Sequence, residues 1–415
     1  MQANGRLRML QTIADYAREQ LEAAGERVDV AARHARRYAD VARQIRDDIE
    51  GTAQLAAIER GILEEDNLDA ALDTLLEAAR GGDPEALELG LQMTGDLWMY
   101  WHVRGKNLTA RDYAAAFLDL GADAAPSLGR IGALVTAGLG SWMAGELERS
   151  MVEWSEAQAI ADALDAGRER CVAALCLALA LMLLDPPAGL AEARKGVELT
   201  RELSFPWGEA IARTIQGMLE TIEGDDEAAM ANLSFALDVQ QRLGDEEGAG
   251  MSFGALAVLA AQRGDTAAAL DLYAQSVAAF DACGDRAEEA RVLSEMAWTY
   301  LAAGDTALAR TRFFDAVRAH TDIASVRGVG LSLVGLAATE AVDGRPDRAA
   351  TIAAAAEMFA QDEGIAVVYS EETPGREIVD RARAELTPEE LAAATAAGQR
   401  LTIDETLALV GRSPV

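Results

Sequence analysis

Residues 244–284 read GDEEGAGMSFGALAVLAAQRGDTAAALDLYAQSVAAFDACG, and this stretch decides the fold. Gly244, Gly264 and Gly284 are evenly spaced and divide it into two segments of equal length. The second segment carries the apolar stripe of an amphipathic helix, with spacing i, i+3, i+4, i+7 and i+8, at Ala269, Leu272, Tyr273, Ser276 and Val277. Glycine ends helices in the left-handed conformation and aspartate begins them, so each Gly-Asp pair predicts a turn between two helices.

The same spacing extends along the chain as a repeat with a period of about 40 residues, within the range of known helical repeats. A first series of turns contains Gly105, Gly145, Gly224, Gly264, Gly304 and Gly344, with Asp185-Pro186-Pro187 in place of a missing glycine. A second series lies half a period away, at Gly167, Ser204-Phe205-Pro206, Gly244, Gly284 and Ile323-Ala324-Ser325. Segment 305–322 repeats the apolar stripe at Ala309, Arg312, Phe313, Ala316 and Val317. Such a period indicates helix pairs that bury their faces against neighbouring pairs.

The unit resembles a tetratricopeptide repeat with a longer helix pair. That family has a small residue seven positions before the turn glycine, matched by Gly138, Gly217, Ala257, Ala297 and Ala337. It has alanine five positions after the glycine, matched by Ala229, Ala269, Ala309 and Ala349. Four positions further it has an aromatic or large residue, matched by Tyr273 and Phe313. Leu233 matches this position less well. Ala353 departs from it, and looser packing is expected where alanine replaces the aromatic residue.

The sequence therefore predicts an all-α protein, a right-handed superhelix of tetratricopeptide-like helix pairs with helical caps. We expect an N-terminal helical cap in residues 1–90, the repeat array in 91–360 and a C-terminal helical capping subdomain in 361–415. In the last part, Thr387-Pro388-Glu389-Glu390 and Thr402-Ile403-Asp404-Glu405 each have the pattern of a capping box. A short helix is predicted after each threonine.

The composition agrees with close-packed helices. Of the 415 residues, 87 are alanine and only 5% are aromatic, which favours helices over sheets. Only three residues are cysteine, which excludes a disulfide scaffold. The formal net charge of -32 excludes direct nucleic-acid binding by the chain as a whole and favours partners with basic patches. Residues 1–50 are neutral, with nine arginines and nine acidic residues. The cluster Arg33-His34-Ala35-Arg36-Arg37 is either a solvated helix face or a docking surface for another domain or an acidic partner.

The longest uncharged run comprises residues 171–184. A membrane span needs about 20 apolar residues, so this shorter run is predicted to be a buried core helix. The first thirty residues lack the apolar core of a signal peptide. We therefore expect a cytoplasmic protein, and the scarcity of cysteine agrees with a reducing compartment.

Four segments carry longer patterns: R-x-R-x-L-x-T-I-x-x-Y-A at 6–17, E-x-D-N-L-x-A-A-L at 64–72, L-x-x-[FY]-W-x-x-R-G at 97–105 and L-[ST]-x-[DE]-E-[AT]-x-[AL] at 401–408. These segments resemble the C-terminal sensor arm of bacterial, actinobacterial-type STAND NTPase transcription regulators, the MalT-like and LuxR-family group. The resemblance implies that residues 6–17 correspond to the end of a winged-helix segment and that residues 64–72 begin a helix. It also implies that the arm receives a small ligand or a partner protein and thereby controls an NTPase.

The chain departs from these regulators in one respect. A phosphate-binding loop needs G-x-x-x-x-G-K-[ST], and neither Lys106 nor Lys195, the two lysines, follows such a loop. We therefore expect the sensor arm without its NTPase domain, which would act in cis or in trans. Whether the chain is a fragment of a larger regulator stays open at this point.

No catalytic, cofactor or metal site is predicted. Gly248-Ala249-Gly250 with Gly254 departs from a dinucleotide loop in spacing and lacks a preceding strand, so helix packing is favoured. His34, His102 and His320 are isolated, and there is no HExxH motif. Cys171 and Cys176 are interpreted as buried small apolar residues, and Asp225-Asp226-Glu227 as a charged first turn rather than a calcium loop.

The predicted function is non-catalytic: a protein-interaction or ligand-sensing module of bacterial signalling or transcription control, which binds a partner protein or small effector in the superhelix groove. Trp98, Tyr100 and Trp101 form either a core anchor or part of a ligand groove. One alternative is an enzyme with an unrecognised carboxylate site in the superhelix groove, for which two carboxylates facing each other in a dry cleft would be the sign. Another is a regulatory fragment that binds a full-length relative. Partner-binding residues are not assigned by the sequence.

Overall fold

The computed structural model describes residues 11–323, 325–362 and 375–411. These residues form twenty α-helices joined by turns, and they contain no β-strand. The chain divides into two compact units. Unit 1 comprises residues 1–101 and 107–180, and unit 2 comprises residues 102–106 and 181–415.

The helices that begin in unit 1 are α1 (Gln11–Ala24), α2 (Arg27–Ile49), α3 (Gln54–Arg80), α4 (Pro84–Val103), α5 (Asn107–Leu120), α6 (Leu128–Met143), α7 (Leu147–Ala163) and α8 (Gly167–Leu184). The helices of unit 2 are α9 (Pro186–Glu202), α10 (Pro206–Glu223), α11 (Asp226–Leu243), α12 (Glu246–Gln262), α13 (Thr266–Cys283), α14 (Arg286–Ala302), α15 (Thr306–Asp322), α16 (Val326–Val342), α17 (Pro346–Asp362), α18 (Arg376–Ala384), α19 (Pro388–Gly398) and α20 (Ile403–Val410). The last residues of α4 and α8 belong to unit 2.

The turn glycines predicted from the period are confirmed as helix ends. The six glycines of the first series all have φ between 66° and 84°, the left-handed region that only glycine enters at little cost. Gly244 and Gly284 of the second series do the same. Asp185 accepts a hydrogen bond from the Ala188 backbone N–H and begins α9, so the proline turn is confirmed as well.

One predicted turn residue is wrong. Gly167 is the first residue of α8, and the left-handed residue of that turn is Asp165, with φ of 51°. Ser204 likewise adopts φ of 52° before α10. Aspartate tolerates this region better than most residues because its short polar side chain bonds locally. The turn is therefore in the predicted place, with its left-handed residue slightly earlier than the glycine.

Five turn glycines of unit 2 are followed by an aspartate that caps the next helix. Each side chain accepts a hydrogen bond from the backbone N–H three residues on, at 3.0–3.2 Å, for Asp225, Asp245, Asp265, Asp285 and Asp305. These residues are the N-caps of α11 to α15. Helix end and helix start thus occupy two adjacent residues, which keeps the successive helices in a regular spacing.

Replacing Gly304 with alanine is expected to lower the free energy of unfolding by about 1–2 kcal/mol, the cost of a Cβ in the left-handed region. Gly304 has φ of 84°, and an added Cβ would meet no neighbouring atom within 4 Å, so only the backbone conformation is tested. Gly304→Asn is the matched control, since asparagine tolerates this conformation. Urea denaturation followed by circular dichroism measures both variants, and equal losses for alanine and asparagine would contradict the prediction.

The small residues predicted in the first helix of a pair receive large side chains from the second helix. In unit 1, a Cβ added to Gly138 would lie 2.3 Å from Nε1 of Trp154, which is fully buried and donates to the Val135 carbonyl at 3.1 Å. In unit 2, a Cβ added to Gly217 would lie 2.6 Å from Cγ of Leu233. The tetratricopeptide-like pattern is therefore confirmed as close packing between paired helices.

The first helices of four pairs in unit 2, α10, α12, α14 and α16, are called the A helices below, and their partners are the B helices. Two of the three neighbouring pairs of A helices contact each other through hydroxyl groups. Thr214 and Ser252 lie 2.8 Å apart between α10 and α12, and Ser294 and Ser332 lie 3.0 Å apart between α14 and α16. Both contacts occupy the same positions of the repeat, so the period also governs how one pair packs on the next.

Residues 64–72 do not begin a helix, which corrects the expectation taken from the family resemblance. They lie inside α3, which starts at Gln54. No helix breaker acts before them: Gly61 stays helical and makes room for Tyr100, whose Cε2 would lie 2.3 Å from an added Cβ. Of the pattern at 6–17, residues 6–10 lie outside the described residues and the remainder belongs to α1.

The other predicted helices are confirmed. Thr387 with Glu390 and Thr402 with Glu405 both form complete capping boxes, at the starts of α19 and α20. The uncharged run is buried in α8 from Cys171 to Ala178, whereas Leu183 and Leu184 at its end are exposed. None of the described helices is long and apolar enough to cross a membrane.

Candidate functional site

A row of half-buried side chains lies on one face of the A helices. Its members occupy two positions separated by two helical turns, which places them on the same side of each helix. The first position is half-buried in all four A helices and the second in three of them. The first position holds Ile211, Met251, Arg291 and Leu331, and the second holds Met218, Val258 and Trp298. We call these seven residues the A-helix face. The face is apolar except for Arg291, and each of its side chains is partly buried and partly exposed to solvent.

Arg291 is held in the middle of this face by two carboxylates of its own helix. Its Nε donates to Glu288 Oε2 at 2.8 Å, and its Nη1 donates to Glu295. Burial opposes the charge on Arg291, but Glu288 and Glu295 raise the pKa of the guanidinium above its ordinary value. Its side chain is still 42% exposed. The face therefore has an apolar row with a fixed, solvent-accessible ion pair at its centre.

A second polar cluster lies at the N-terminal ends of α12 and α14. Glu247 stands in the first turn of α12, Asp285 is the N-cap of α14, and His102 from segment 102–106 faces both within unit 2. His102 Nε2 lies 4.0 Å from Glu247 Oε1. One imidazole nitrogen and one oxygen of each carboxylate all lie within 4.8 Å of one another, close enough to bind a common metal ion.

Burial dominates the electrostatics of this cluster. Glu247 and Asp285 each expose 1% of their surface. Burial raises the pKa of Glu247, and the charges of Asp245 and Asp285 raise it further. Burial also raises the pKa of Asp285 to about 6, although the nearby His102 opposes the shift. Two carboxylates and an imidazole therefore share a site of low polarity, where charge needs compensation.

Hydrogen bonding in the cluster is incomplete. Asp285 Oδ1 accepts from the backbone N–H groups of Ala287 and Glu288 at 3.1 and 3.0 Å. Asp285 Oδ2 and His102 Nδ1, by contrast, are buried and have no hydrogen-bond partner among the described residues. Buried polar atoms are nearly always satisfied in folded proteins, so these two atoms need a further partner.

His320, the third histidine, is buried on α15 and its ring fills the space beside Gly328, where an added Cβ would lie 2.2 Å from Nδ1. Burial lowers the pKa of His320 to about 4, with Glu288 opposing the shift. The unfolded chain binds a proton at this histidine near pH 6.5 and the folded chain only near pH 4. Folding stability is therefore lost as the pH falls through this window.

We expect His320 to remove about 3 kcal/mol of folding free energy between pH 7 and pH 4, since one pKa unit corresponds to about 1.4 kcal/mol. His320→Gln, which has no titrating ring, should flatten this part of the pH profile. Urea unfolding measured at intervals across the window tests the difference between the two proteins. Parallel profiles would contradict the prediction, because they would show that folding does not change the pKa of His320.

The structure contains two sizeable cavities away from these clusters. One of about 550 Å³ lies between α9, α10 and α11, lined by Arg201, Phe205, Glu209, Phe235 and Arg242, among others. The other, of about 530 Å³, lies between α16, α17 and the C-terminal helices, with Leu333, Phe359, Leu401 and Ile403 in its wall. Neither is lined by Glu247 or Asp285, so neither gives a substrate access to that carboxylate pair.

The remaining residues singled out in the sequence are buried in the core, pack between helices or cap a helix. Cys171 and Cys176 are buried, and burial raises their thiol pKa values to about 11 and about 12. Gly250 packs in α12 against Phe280, which an added Cβ would approach to 2.8 Å. Asp225 caps α11 with the next two acids in its first turn. The helix-packing and first-turn interpretations are confirmed.

The aromatic cluster lies mainly in the core. Tyr100 and Trp101 are buried, and Tyr100 donates its hydroxyl to Glu65 at 2.9 Å. Trp98 packs against the core of α6 to α8. The surroundings thus favour the core anchor over the ligand groove. In the basic cluster, Arg33, Arg36 and Arg37 are exposed, and His34 lies 3.4 Å from Asn67.

No protein-family model matches the chain, and no curated protein sequence matches it. Among solved structures, the chain is similar to a Rap protein complexed with competence and sporulation factor, with a TM-score of 0.58 at 10% identity over 88% of this chain and 100% of that one. It is also similar to NprR in complex with its cognate peptide NprX, with a TM-score of 0.55 at 13% identity over 83% and 97%. For a STAND protein with a tetratricopeptide repeat sensor from Pyrococcus horikoshii the TM-score is 0.48, at 14% identity over 84% and 55%. The similarity to the Rap and NprR structures agrees with the all-helical architecture of successive helix pairs described above.

Proposed function

We propose that this chain is a regulatory module that binds a peptide or protein partner on the A-helix face. One observation carries the proposal: half-buried side chains recur at one position of four successive A helices and at a second position of three of them, where a compact globular core would bury them. An extended ligand can contact such a row through several small pockets at once. The Rap and NprR structures, each with a factor or peptide named as its ligand, support a ligand of this kind.

The chemistry of the face suggests what the partner offers. Apolar side chains such as Met251, Val258 and Leu331 suit apolar residues of a peptide, and methionine adapts its shape to different partners. Arg291 and Glu295 supply a donor and an acceptor for a peptide backbone. The net charge of -32 favours a cationic partner and predicts that binding weakens as salt is added.

The test is selection from a phage-displayed library of random short peptides against the purified chain, followed by fluorescence anisotropy with the enriched sequence. Met251→Lys is expected to weaken binding by about tenfold or more, because it places a charge in the apolar row. Leu203→Lys, at an exposed position at the end of α9 and so outside the face, is the matched control. A library without any enriched sequence, or equal losses for both variants, would exclude this binding face.

A finer proposal is that the module is the sensor arm of a STAND-type transcription regulator, and that it works in the cytoplasm. The patterns at 64–72, 97–105 and 401–408 support it, as does the neutral, arginine-rich segment 1–50 beside an acidic array. This proposal includes the predicted domain division, with helical caps at 1–90 and 361–415 on either side of a repeat array at 91–360. Combined charge reversal of Arg33, Arg36 and Arg37 should abolish capture of the NTPase domain encoded nearest to this chain's gene. Reversal of Arg242 should not.

The enzyme alternative has one observation in its favour, the buried pair of Glu247 and Asp285 with raised pKa values. Such pairs serve as general acids and bases in many enzymes. Glu247→Gln would then abolish turnover of a hydrolysable substrate panel, such as nitrophenyl esters and glycosides. Under our proposal the wild-type protein has no such turnover to lose.

A further inference from the structure

We propose that His102, Glu247 and Asp285 bind one divalent transition-metal ion, with zinc as the occupant. The site goes beyond the proposed partner binding, because it lies at the N-terminal ends of α12 and α14 and shares no residue with the A-helix face. Each ligand comes from a different segment, so a bound ion would join segment 102–106 to the starts of two A helices.

The geometry is close to that of a zinc site. Zinc binds imidazole nitrogen and carboxylate oxygen at about 2.0–2.2 Å, so two ligands of a tetrahedral ion lie roughly 3.4 Å apart. The ligand atoms here lie within 4.8 Å of one another, with His102 Nε2 at 4.0 Å from Glu247 Oε1. Small side-chain rotations therefore complete the site, and the helices do not need to move.

An independent observation comes from the hydrogen bonds. Asp285 exposes only 1% of its surface, and its Oδ2 has no hydrogen-bond partner among the described residues although Oδ1 accepts two. His102 Nδ1 is unpartnered in the same part of the structure. A metal ion at this place would satisfy Asp285 Oδ2 and would be bound by one ring nitrogen of His102, and its double charge would balance the two buried carboxylates.

The donor set selects the metal. Calcium and magnesium prefer oxygen ligands alone, whereas zinc accepts one imidazole with two carboxylates and keeps an open position for water. Arg104 lies beside the cluster, with Nη1 at 3.7 Å from the place of a Cβ on Gly284. This positive charge weakens the attraction for a cation, so we expect an affinity below that of structural zinc sites made of cysteines.

The repeat itself sets Glu247 apart. The equivalent positions at the starts of the other three A helices, α10, α14 and α16, hold Trp207, Ala287 and Arg327. A carboxylate at this position is therefore peculiar to α12 and is not required by the helix-pair architecture. Glu247 neither caps its helix nor follows the repeat pattern, which agrees with a role as a metal ligand.

The experiment is calorimetric titration of the chelator-treated protein with zinc chloride, in excess magnesium and about 150 mM salt to suppress weak surface binding. We expect one saturable site and a rise of the melting temperature on binding. Asp285→Asn and His102→Ala should each weaken zinc binding by about tenfold or more. Asparagine caps helices as well as aspartate does, so Asp285→Asn keeps the start of α14.

Matched controls are Asp265→Asn, the same change at the cap of α13, and His34→Ala in unit 1, neither of which should alter the affinity. Circular dichroism of the metal-free variants verifies that each is folded. The absence of a saturable site in the wild-type protein would overturn the proposal. An affinity in Asp285→Asn equal to that in Asp265→Asn would do the same.

Discussion

Replacing Glu340 with alanine is expected to lower the free energy of unfolding of unit 2 by about 3–5 kcal/mol, the loss typical of breaking a buried ion pair from one side. Glu340 is completely buried near the end of α16. It accepts from Arg310 Nε at 3.1 Å and from Arg345 Nε at 2.6 Å, and Arg348 lies 3.3 Å away. One carboxylate thus holds together α15, α17 and the turn before α17.

The size of the effect comes from what alanine leaves behind. Arg310 exposes only 8% of its surface. Without Glu340 its guanidinium would still pair with Asp343, but it would lose the more deeply buried of its two carboxylate partners. Glu340→Gln, which can still accept hydrogen bonds, should cost clearly less. Asp238→Asn removes an exposed pair with Arg242 and should change stability by less than about 1 kcal/mol. Urea unfolding measures all three variants, and equal losses for alanine and the exposed control would refute the prediction.

Replacing Phe313 with alanine is expected to cost about 3–5 kcal/mol, the range for deleting a fully buried phenylalanine. The ring has no exposed surface and packs edge-to-face with Trp298 at a centroid distance of 4.8 Å. It also lies against Gly335 of the next A helix, where an added Cβ would approach it to 2.3 Å. The motif aromatic therefore joins two successive pairs as well as filling its own.

The matched control is Phe235→Ala, because Phe235 is 40% exposed on α11 and its loss leaves no enclosed cavity. Phe313→Leu should fall between the two, since leucine refills part of the space. The repeats unfold as coupled neighbours, so the loss should show as an earlier urea transition of the pairs around α15. A change below about 1 kcal/mol for Phe313→Ala would mean that Phe313 does not anchor the interface between pairs.

The sequence was sufficient for features that depend on local chemistry. Gly224, Gly264 and Gly304 end helices because only glycine adopts the left-handed conformation freely, and the following aspartates begin helices by capping them. The motif alanines were equally predictable. Trp154 was missed because Ser150 stands in the alanine position of that repeat and hides the motif. In the structure Trp154 occupies the aromatic position and packs on Gly138.

The expectation for residues 64–72 failed for a physical reason. It came from a family pattern, and no glycine in a left-handed conformation, proline or capping residue precedes that segment to start a helix there. Gly61 instead serves packing, since it admits the ring of Tyr100. Gly167 failed differently, because Asp165 took over the left-handed position. Local residue chemistry was thus more dependable than the family pattern at residues 64–72. At Gly167 the glycine rule placed the turn correctly and only its left-handed residue wrongly.

The cluster of His102, Glu247 and Asp285 was beyond sequence reasoning. Its members are widely separated along the chain, and no spacing rule links a residue of segment 102–106 with the starts of two later helices. Only the tertiary packing within unit 2 brings them together. The available signal was Glu247 itself, an acid at a position where the other A helices have Trp207, Ala287 and Arg327.

The central claim is that a peptide or protein partner binds on the A-helix face. The most direct measurement is photo-crosslinking of the selected peptide, carrying a benzophenone side chain, with the crosslinked residues mapped by mass spectrometry. The account predicts crosslinks to α12, α14 and α16 around Met251, Arg291 and Leu331, and their loss in Met251→Lys. Crosslinks confined to the B helices, or unchanged in that variant, would contradict it.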